Sequence, residues 1–193
     1  MVGIQGTEGS FHYQAARLYF GNEIGIKEYR TFDAIAKSLV NNTIEWGVMA
    51  IENSIAGAIL ANYALIDRYN LSIVGELYMN IQHHLMALEG QSIEELKEVH
   101  SHYMALLQCK DFFEAYPHIK LVEATNTAQA AREIQEGQLK GVGAIASASA
   151  SVLYGLPILA ESIQTIKQNA TRFVILSRRG DFISKEERNK VTL

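Results

Sequence analysis

The sequence is poor in cysteine, which cross-links small secreted proteins, and in proline, which interrupts helices and strands. It has one cysteine, Cys109, and two prolines among 193 residues. A single cysteine cannot form an internal disulfide, which favours a reducing compartment, so we expect a cytoplasmic protein. With so little proline and no low-complexity tract, we expect no extensive disorder.

The chain also lacks a large excess of charge of either sign. The chain carries 17 basic and 21 acidic residues, for a net charge of −4. Generic nucleic-acid binding needs a strong positive field that displaces counterions from phosphates. We therefore expect no nucleic-acid partner.

Long hydrophobic runs are missing as well. Residues 141–160 contain no charged side chain, but serines, Gly143, Gly155 and Pro157 dilute the stretch. This favours a buried strand–helix–strand segment over a membrane-spanning helix. Residues 1–6 lack the basic start and apolar run of a signal peptide, so we expect neither secretion nor a membrane.

What the chain does have is a regular alternation of short apolar runs with helical patterns. The alternation occurs twice, before and after an extended stretch at 72–88, without a repeat of fixed period. It predicts an α/β fold of two lobes, with ligands bound beyond the carboxyl ends of strands. The predicted boundaries are 1–77 for lobe 1, 78–164 for lobe 2, 165–180 for a return to lobe 1, and 181–193 for a tail.

A first polar cluster, Gly6–Ser10, lies between a predicted strand and a predicted helix. Its glycines let a backbone approach a ligand, and unpaired N–H groups at a helix start favour an anion. Gly9 and Ser10 are therefore candidate binding residues. An ordinary strand-to-helix turn would explain the same composition.

Two further clusters lie at strand ends. Glu52, Asn53 and Ser54 follow a buried strand, where helix capping is the alternative explanation. Residues 169–173 open a late strand, where an exposed strand edge is the alternative. Neighbours in a regular strand face opposite sides, so Thr171 and Arg172 reach one ligand only if the segment is looped or bulged.

Four other residues have side chains that could bind a ligand or react: Gln108, Cys109, His83 and His84. Gln108 lies at the edge of an apolar helical stripe and can face a cleft, whereas Cys109 lies on the stripe as a small buried hydrophobe. His83 and His84 are neighbours in an extended stretch and point apart, so they cannot readily chelate one metal. We expect neither a metal nor a cofactor.

Together these clusters resemble the prephenate dehydratase family, from Gly3 to about Ser177. The matching motifs, in family order, are Gly6–Phe11 with Gln14-Ala15-Ala16, Ile51–Ser54 with Gly57, Gly75-Glu76 with Ile81 and His83, Ser101-His102 through Gln108-Cys109, Tyr154-Gly155-Leu156, and Asn169–Phe173. The chain departs from the family where Tyr103-Met104 replaces Pro-Gln and Thr7 replaces Pro.

The resemblance implies a two-lobed fold like that of type II periplasmic binding proteins, with the active site in the interlobe cleft. It implies a cofactor-free carbon–oxygen lyase of phenylalanine biosynthesis in the shikimate pathway. Prephenate would lose carbon dioxide and its ring hydroxyl to give phenylpyruvate. In the family, the residues at Thr171, Asn53 and Gln108 are linked to catalysis. A homodimer or homotetramer is implied as well.

On this basis we expect Thr171 to donate a hydrogen bond to the leaving hydroxyl, with Asn53 and Gln108 orienting the substrate. We expect Arg172 to grip the carboxylate that survives, because a guanidinium forks onto two oxygens. The predicted substrate-binding residues are Arg172, Phe173, Ser54, Glu52, Gly9 and Ser10.

Two other functions stay open on the sequence. Arogenate dehydratase performs the same elimination on a substrate with an amino group in place of the keto group. A non-catalytic cytoplasmic module that binds a small carboxylate would have the same two-lobed pattern. Residues 190–193 resemble the first strand of the phenylalanine-binding ACT domain found in family members. We therefore expect this chain to be the catalytic part alone, without the feedback site.

Overall fold

The computed structural model describes residues 1–178. The chain forms two compact units: unit 1 contains Met1–Gln5, Ala15–Met79 and the chain from Thr171, and unit 2 contains Gly6–Gln14 and Asn80–Ala170. The chain thus passes between the units four times, after Gln5, Gln14, Met79 and Ala170. The sequence predicted crossings only after 77 and 164, and it placed residues 6–14 in lobe 1. The predicted tail at 181–193, with its resemblance at 190–193, lies outside the described residues.

The regular elements follow one another in the predicted alternation. The strands are β1 (Val2–Gln5), β2 (Ile26–Tyr29), β3 (Trp46–Asn53), β4 (Gly57–Ala58), β5 (Ser72–Asn80), β6 (His84–Ala87), β7 (Glu98–Ser101), β8 (Lys120–Glu123), β9 (Val142–Ala146), β10 (Ile158–Ala160) and β11 (Ala170–Ser177). The helices are α1 (Phe11–Phe20), α2 (Phe32–Val40), α3 (Leu60–Arg68), α4 (Tyr103–Gln108), α5 (Thr127–Gly137) and α6 (Ala148–Tyr154), with 3₁₀ turns at Ile93–Glu95 and Lys110–Ala115.

Unit 1 is built on a mixed sheet with the strand order β2-β1-β3-β11-β5 and the short β4 paired with β3. Strand β1 runs parallel to β2 and β3, and β11 runs antiparallel to β3. The carboxyl end of β3 therefore lies beside the amino end of β11. This pairing brings the second and third polar clusters of the sequence together.

Unit 2 has a sheet of the same design, with the order β10-β6-β9-β7-β8. In unit 1, β1 lies between the parallel strands β2 and β3, and the antiparallel β11 lies beyond β3. In unit 2, β7 lies between the parallel strands β8 and β9, and the antiparallel β6 lies beyond β9. The twofold α/β pattern predicted from the sequence is confirmed.

In unit 1, helix α2 covers one face of the sheet. The helix begins where the hydroxyl oxygen of Thr31 accepts a hydrogen bond from the Ala34 N–H at 3.2 Å, which satisfies one of the first-turn donors. The apolar side of α2 packs in one cluster with residues of β3 and β11, including Met49, Val174 and Leu176. Alternation along β11 therefore assigns Arg172 to this same face of the sheet.

In unit 2, Cys109 is fully buried in an apolar cluster, and burial raises the pKa of its thiol to about 12. The interpretation of this residue as a small core hydrophobe agrees with that placement. The apolar spacing after Ser101 predicts a single helix to about Tyr116, and this prediction is wrong. Helix α4 stops at Gln108, because the Cys109 N–H is shared between the carbonyls of Ala105 and Leu106 and the chain tightens into a 3₁₀ turn.

Across residues 1–178, no helix combines the length and the apolar character that crossing a bilayer requires.

Candidate functional site

The pairing of β3 with β11 contains an irregularity next to the polar clusters. Thr171 lies opposite Asn53 and Arg172 opposite Glu52, but Phe173 lies opposite Ala50, so the register skips one residue of β3. The sequence required such a bulge if Thr171 and Arg172 were to reach one ligand. The extra residue belongs to β3, however, so β11 keeps its alternation and the two side chains face opposite sides of the sheet.

On one face, Asn53 and Thr171 form a hydrogen-bonded pair. The Oδ1 atom of Asn53 accepts the N–H groups of Ile55 and Ala56 at 3.0 and 2.9 Å. Its Nδ2 atom donates to the hydroxyl oxygen of Thr171 at 2.9 Å. Because both acceptor positions of Oδ1 are occupied by the turn, the amide can present only its nitrogen to Thr171.

This arrangement decides what the Thr171 hydroxyl can do. The oxygen already accepts a hydrogen bond, so its own hydrogen is directed toward a different acceptor. The side chain is largely buried, with 7% of the residue exposed. A hydroxyl fixed in this way is a pre-organised hydrogen-bond donor.

On the other face, Arg172 binds two carboxylates of the chain. Its Nη2 and Nε atoms lie 2.6 and 2.8 Å from Oε2 of Glu76, and its Nη1 atom lies 3.3 Å from both oxygens of Glu52. Burial alone would lower the pKa of Arg172, but the hydrogen bonds to Glu76 and Glu52 raise it. The guanidinium predicted to grip a substrate carboxylate is thus already engaged by carboxylates of unit 1.

Glu52 is further held by Tyr63, whose hydroxyl donates to Oε1 at 2.5 Å. This hydrogen bond, and secondarily the Arg172 guanidinium, hold the pKa of Glu52 below its usual value. Glu52 therefore stays an anion at neutral pH, and it accepts hydrogen bonds rather than supplying a proton.

Gln108 lies in unit 2, where it closes helix α4. Its Oε1 atom lies 3.0 Å from Nε2 of His83 and accepts a hydrogen bond from Nδ2 of Asn169 at 2.9 Å. Its backbone carbonyl accepts the Thr165 N–H at 2.9 Å. The side-chain amide is therefore held by its oxygen, as the amide of Asn53 is in unit 1.

His83 is buried, with 4% of the residue exposed, and burial lowers its pKa to about 4. Its ring meets that of Phe11 edge-on at 5.6 Å between centroids. The imidazole is therefore neutral at pH 7, with one nitrogen that donates and one that accepts.

The Gly6–Ser10 turn is fixed within unit 2. The oxygen of Ser10 caps α1 by accepting the Tyr13 N–H at 3.2 Å. The Gly9 carbonyl accepts the Ser147 hydroxyl at 2.9 Å. Gly9 has a φ of +83°, and a Cβ atom there would lie 3.4 Å from Cα of Ala150, so any other residue is disfavoured. A helix cap and close packing thus account for both residues, and their predicted role in binding stays a prediction.

Two more predicted residues have contrasting positions. Ser54 is exposed beside Asn53, whereas Phe173 is buried, with 1% exposed.

Four residues that bond to the predicted site residues were not themselves predicted: Tyr63, Glu76, His83 and Asn169. Glu76, His83 and Asn169 lie within the family motifs, and that position was the signal by which the sequence could have indicated them. Tyr63 lies outside those motifs, and nothing in its sequence context indicated a bond to Glu52.

Within the part of the chain that the structure describes, no group of three or more histidine, cysteine, aspartate or glutamate side chains is arranged to hold a metal ion.

Solved structures of similar fold come from several functional classes. A prephenate dehydratase from Arthrobacter aurescens in complex with L-Phe matches with a TM-score of 0.84 and 24% identity, over 93% of this chain and 60% of that one. GqqA, described as a novel type of quorum quenching acylase, matches with a TM-score of 0.81 and 29% identity, over 95% and 66%. A methionine-bound nutrient binding protein from Burkholderia cenocepacia matches with a TM-score of 0.51 and 12% identity, over 97% and 88%, which shows likeness of fold alone.

Curated relatives point to a single family. Arogenate dehydratase 2 of Petunia hybrida is 40% identical over 92% of this chain and 44% of its own length. A bifunctional chorismate mutase/prephenate dehydratase of Buchnera aphidicola subsp. Schizaphis graminum (strain Sg) is 31% identical over 97% of this chain and 50% of its own length. The chain thus spans about half the length of these relatives. A family model described as Prephenate dehydratase matches residues 2–181, so the chain belongs to the prephenate dehydratase family.

Proposed function

We propose that this chain catalyses the decarboxylating dehydration of prephenate to phenylpyruvate, with release of water and carbon dioxide. Family membership supports the reaction class. The observation that carries the proposal is the Asn53–Thr171 pair, in which an amide held by two backbone N–H groups fixes a threonine hydroxyl as a donor. The reaction needs such a donor at the departing oxygen.

The balance of the reaction defines what the protein must supply. The bond between the ring and its carboxylate breaks, and its electron pair moves into the ring. The bond between the opposite ring carbon and its hydroxyl breaks in turn, and one proton converts the departing hydroxide to water. The ring becomes aromatic, so the step is downhill, and the barrier lies in hydroxide departure. Groups that bond more strongly to developing hydroxide than to a neutral hydroxyl lower that barrier.

We assign Thr171 to this task as a positioned donor. A threonine hydroxyl is too weak an acid near neutral pH to release its proton outright, because efficient general acids have a pKa close to the working pH. A hydrogen bond from it strengthens as negative charge accumulates on the leaving oxygen. Loss of one such donor commonly costs about 3 kcal/mol of barrier, on the order of a hundredfold in rate.

The predicted role of Gln108 carries over as part of the proposal. Gln108 orients the substrate through its side-chain nitrogen, since its oxygen is held by His83 and Asn169. The predicted grip of Arg172 on the substrate is not part of it, because Arg172 faces the opposite side of the sheet from Thr171 and binds Glu76 and Glu52. An interlobe active site stays a prediction.

Arogenate is a second candidate substrate, and one observation favours it. The relative named arogenate dehydratase 2 is 40% identical to this chain, and two relatives of Arabidopsis thaliana named for both activities are 38% and 37% identical. The elimination is the same for both substrates. Only the side chain differs, where an amino group replaces the keto group.

The experiment that tests the proposal offers both substrates to one preparation of the chain. Prephenate gives phenylpyruvate, which absorbs in alkali, and arogenate gives phenylalanine, which amino-acid analysis detects. Turnover of prephenate that Thr171→Ala lowers and Thr171→Ser largely keeps supports the proposal. Exclusive turnover of arogenate supports the second candidate. Binding of either compound without turnover would instead indicate a carboxylate-binding module.

Assembly and location are part of the same proposal. We expect a homodimer or homotetramer in the cytoplasm. Light scattering after gel filtration measures the mass against the 21.5 kDa of the monomer. Turnover with added phenylalanine tests whether a feedback site is present.

A further inference from the structure

The side-chain amide of Gln108 is held by two buried groups that converge on its oxygen. Asn169 is fully buried and donates from Nδ2 at 2.9 Å. His83 is 4% exposed, and its Nε2 atom lies 3.0 Å from the same oxygen. Because an amide oxygen only accepts hydrogen bonds, the Nε2 atom of His83 must carry the hydrogen.

We propose that His83 and Asn169 are positioning residues that lock the Gln108 amide so that its nitrogen, not its oxygen, faces the substrate. The inference deepens the proposed dehydratase function and rests on it. In that reaction a nitrogen donor stabilises the departing hydroxide, whereas a carbonyl oxygen in the same place would repel it.

The reversed orientation of the amide is the competing arrangement. It would turn the Gln108 nitrogen toward His83 and require the hydrogen of His83 on Nδ1 instead. Among the described residues, the buried Nδ1 atom has no hydrogen-bond partner. A buried N–H without an acceptor is rarer and costlier than an acceptor without a donor, so the ring keeps its hydrogen on Nε2.

Backbone hydrogen bonds fix the segments that carry these side chains. The Ile163 N–H donates to the His83 carbonyl at 2.8 Å, and the Thr165 N–H donates to the Gln108 carbonyl at 2.9 Å. The Asn169 carbonyl accepts the Ile81 N–H at 2.6 Å. Side chains on a backbone held in this way need little reorganisation to keep the amide in place, which is the condition for pre-organised catalysis.

The first test reads the position of the hydrogen directly. The two-bond ¹H–¹⁵N NMR pattern of the intact chain labelled on histidine distinguishes the tautomers, and His83→Gln assigns the resonance. We expect the His83 ring to be neutral with its hydrogen on Nε2 at pH 7. A hydrogen on Nδ1, or on both nitrogens, would overturn the inference whether or not the chain is active.

The second test uses a matched pair of variants. His83→Gln keeps a donor near the position of Nε2, and His83→Leu removes it at similar volume. We expect kcat to fall about tenfold or more in His83→Leu, as for loss of a group that orients a catalytic donor. The KM should change less than kcat, and His83→Gln should keep most of the turnover. The control His100→Leu removes a half-buried histidine whose partner is Glu98, and it should leave kcat unchanged.

A double-mutant cycle then separates positioning from general support of the fold. If His83 acts through Gln108, the substitution His83→Leu should cost little further turnover in a Gln108→Ala background. Additive losses would contradict the inference, as would equal kcat values for His83→Gln and His83→Leu. Failure of the proposed function looks different, since the wild-type chain would then convert neither substrate.

Discussion

Two nitrogens of Arg172 converge on a single oxygen of Glu76, with Nη2 at 2.6 Å and Nε at 2.8 Å from Oε2. The same guanidinium holds Glu52, so one cation faces two carboxylates at the paired ends of β3 and β11. Arg172 is 14% exposed in its side chain and Glu76 25%. Contacts this sheltered affect stability more than surface ion pairs do.

Replacing Arg172 with Met should therefore destabilise unit 1. The change leaves Glu76 and Glu52 without their cation, and removal of one partner from a buried ion pair costs about 3 kcal/mol or more. We expect the free energy of unfolding to fall by about 2–3 kcal/mol, slightly less than for a fully buried pair, because Glu76 keeps some solvent contact. Urea unfolding followed by circular dichroism measures it. Adding Glu76→Gln should recover part of the loss, and a loss that grows instead would contradict the ion-pair account.

The predicted carboxylate grip of Arg172 has a kinetic test. Arg172→Lys keeps the charge but loses the planar fork, so a direct grip on substrate predicts a KM raised about tenfold. Steady-state kinetics at several substrate concentrations provide the value. Because Arg172 faces away from Thr171 and binds Glu52 and Glu76, we expect instead an unchanged KM together with lowered stability.

Asn53→Asp should abolish most turnover while sparing the fold. One carboxylate oxygen still accepts the N–H groups of Ile55 and Ala56, so the turn is kept. The other oxygen now accepts from the Thr171 hydroxyl, which draws the hydroxyl hydrogen away from the leaving group. We expect kcat to fall about a hundredfold, with a change of less than about 1 kcal/mol in the free energy of unfolding. Equal loss of stability and turnover would count against this mechanism.

Thr171→Ala and Thr171→Ser form the matched pair for the donor itself. Alanine removes the hydroxyl and should lower kcat by about two orders of magnitude. Serine keeps the hydroxyl but rotates more freely than threonine, so a loss of about tenfold or less is expected. Near-wild-type turnover in Thr171→Ala would remove Thr171 from the mechanism.

Stability should fall in mild acid because of two histidines, His83 and His12. Burial lowers the pKa of each to about 4 in the folded chain, against 6.5 for an ordinary histidine. Between these values the unfolded chain binds more protons, so the free energy of unfolding decreases as the pH drops from 6.5 toward 4. The lowered pKa of His83 corresponds to a loss of roughly 3 kcal/mol at most in the free energy of unfolding. Urea titrations across this range should give a shallower pH dependence for His83→Gln than for the wild type, and identical slopes would show that His83 is not the group responsible.

Local patterns were sufficient to predict most of the secondary structure. Apolar residues at helical spacing after Thr31 predict α2 with Thr31 as its cap, and the structure confirms both, because both signals are contained within a few residues. The long apolar stretch after Ser101 led to the wrong interpretation. Apolar spacing does not report the hydrogen-bond sharing at Cys109 that ends α4.

The chemistry-bearing residues illustrate the same division. The polar clusters at the ends of β3 and β11 could be picked out from the sequence, as could Gln108. The carboxylate partners of Arg172 could not, because Glu76 lies 96 positions away. Alternation along a strand shows that Thr171 and Arg172 face apart, but only the register of β3 against β11 shows which neighbours each one meets.

The order of apolar and polar residues by itself determined the alternating elements, the burial of Cys109 and the family motifs. These depend on interactions between residues close in the chain. Tertiary structure decided which hydroxyl donates, which amide atom is held and which carboxylates hold the arginine. Several of these hydrogen bonds join residues far apart in the chain, 118 positions for Asn53 and Thr171 and 96 for Arg172 and Glu76, so tertiary packing rather than local propensity sets their direction.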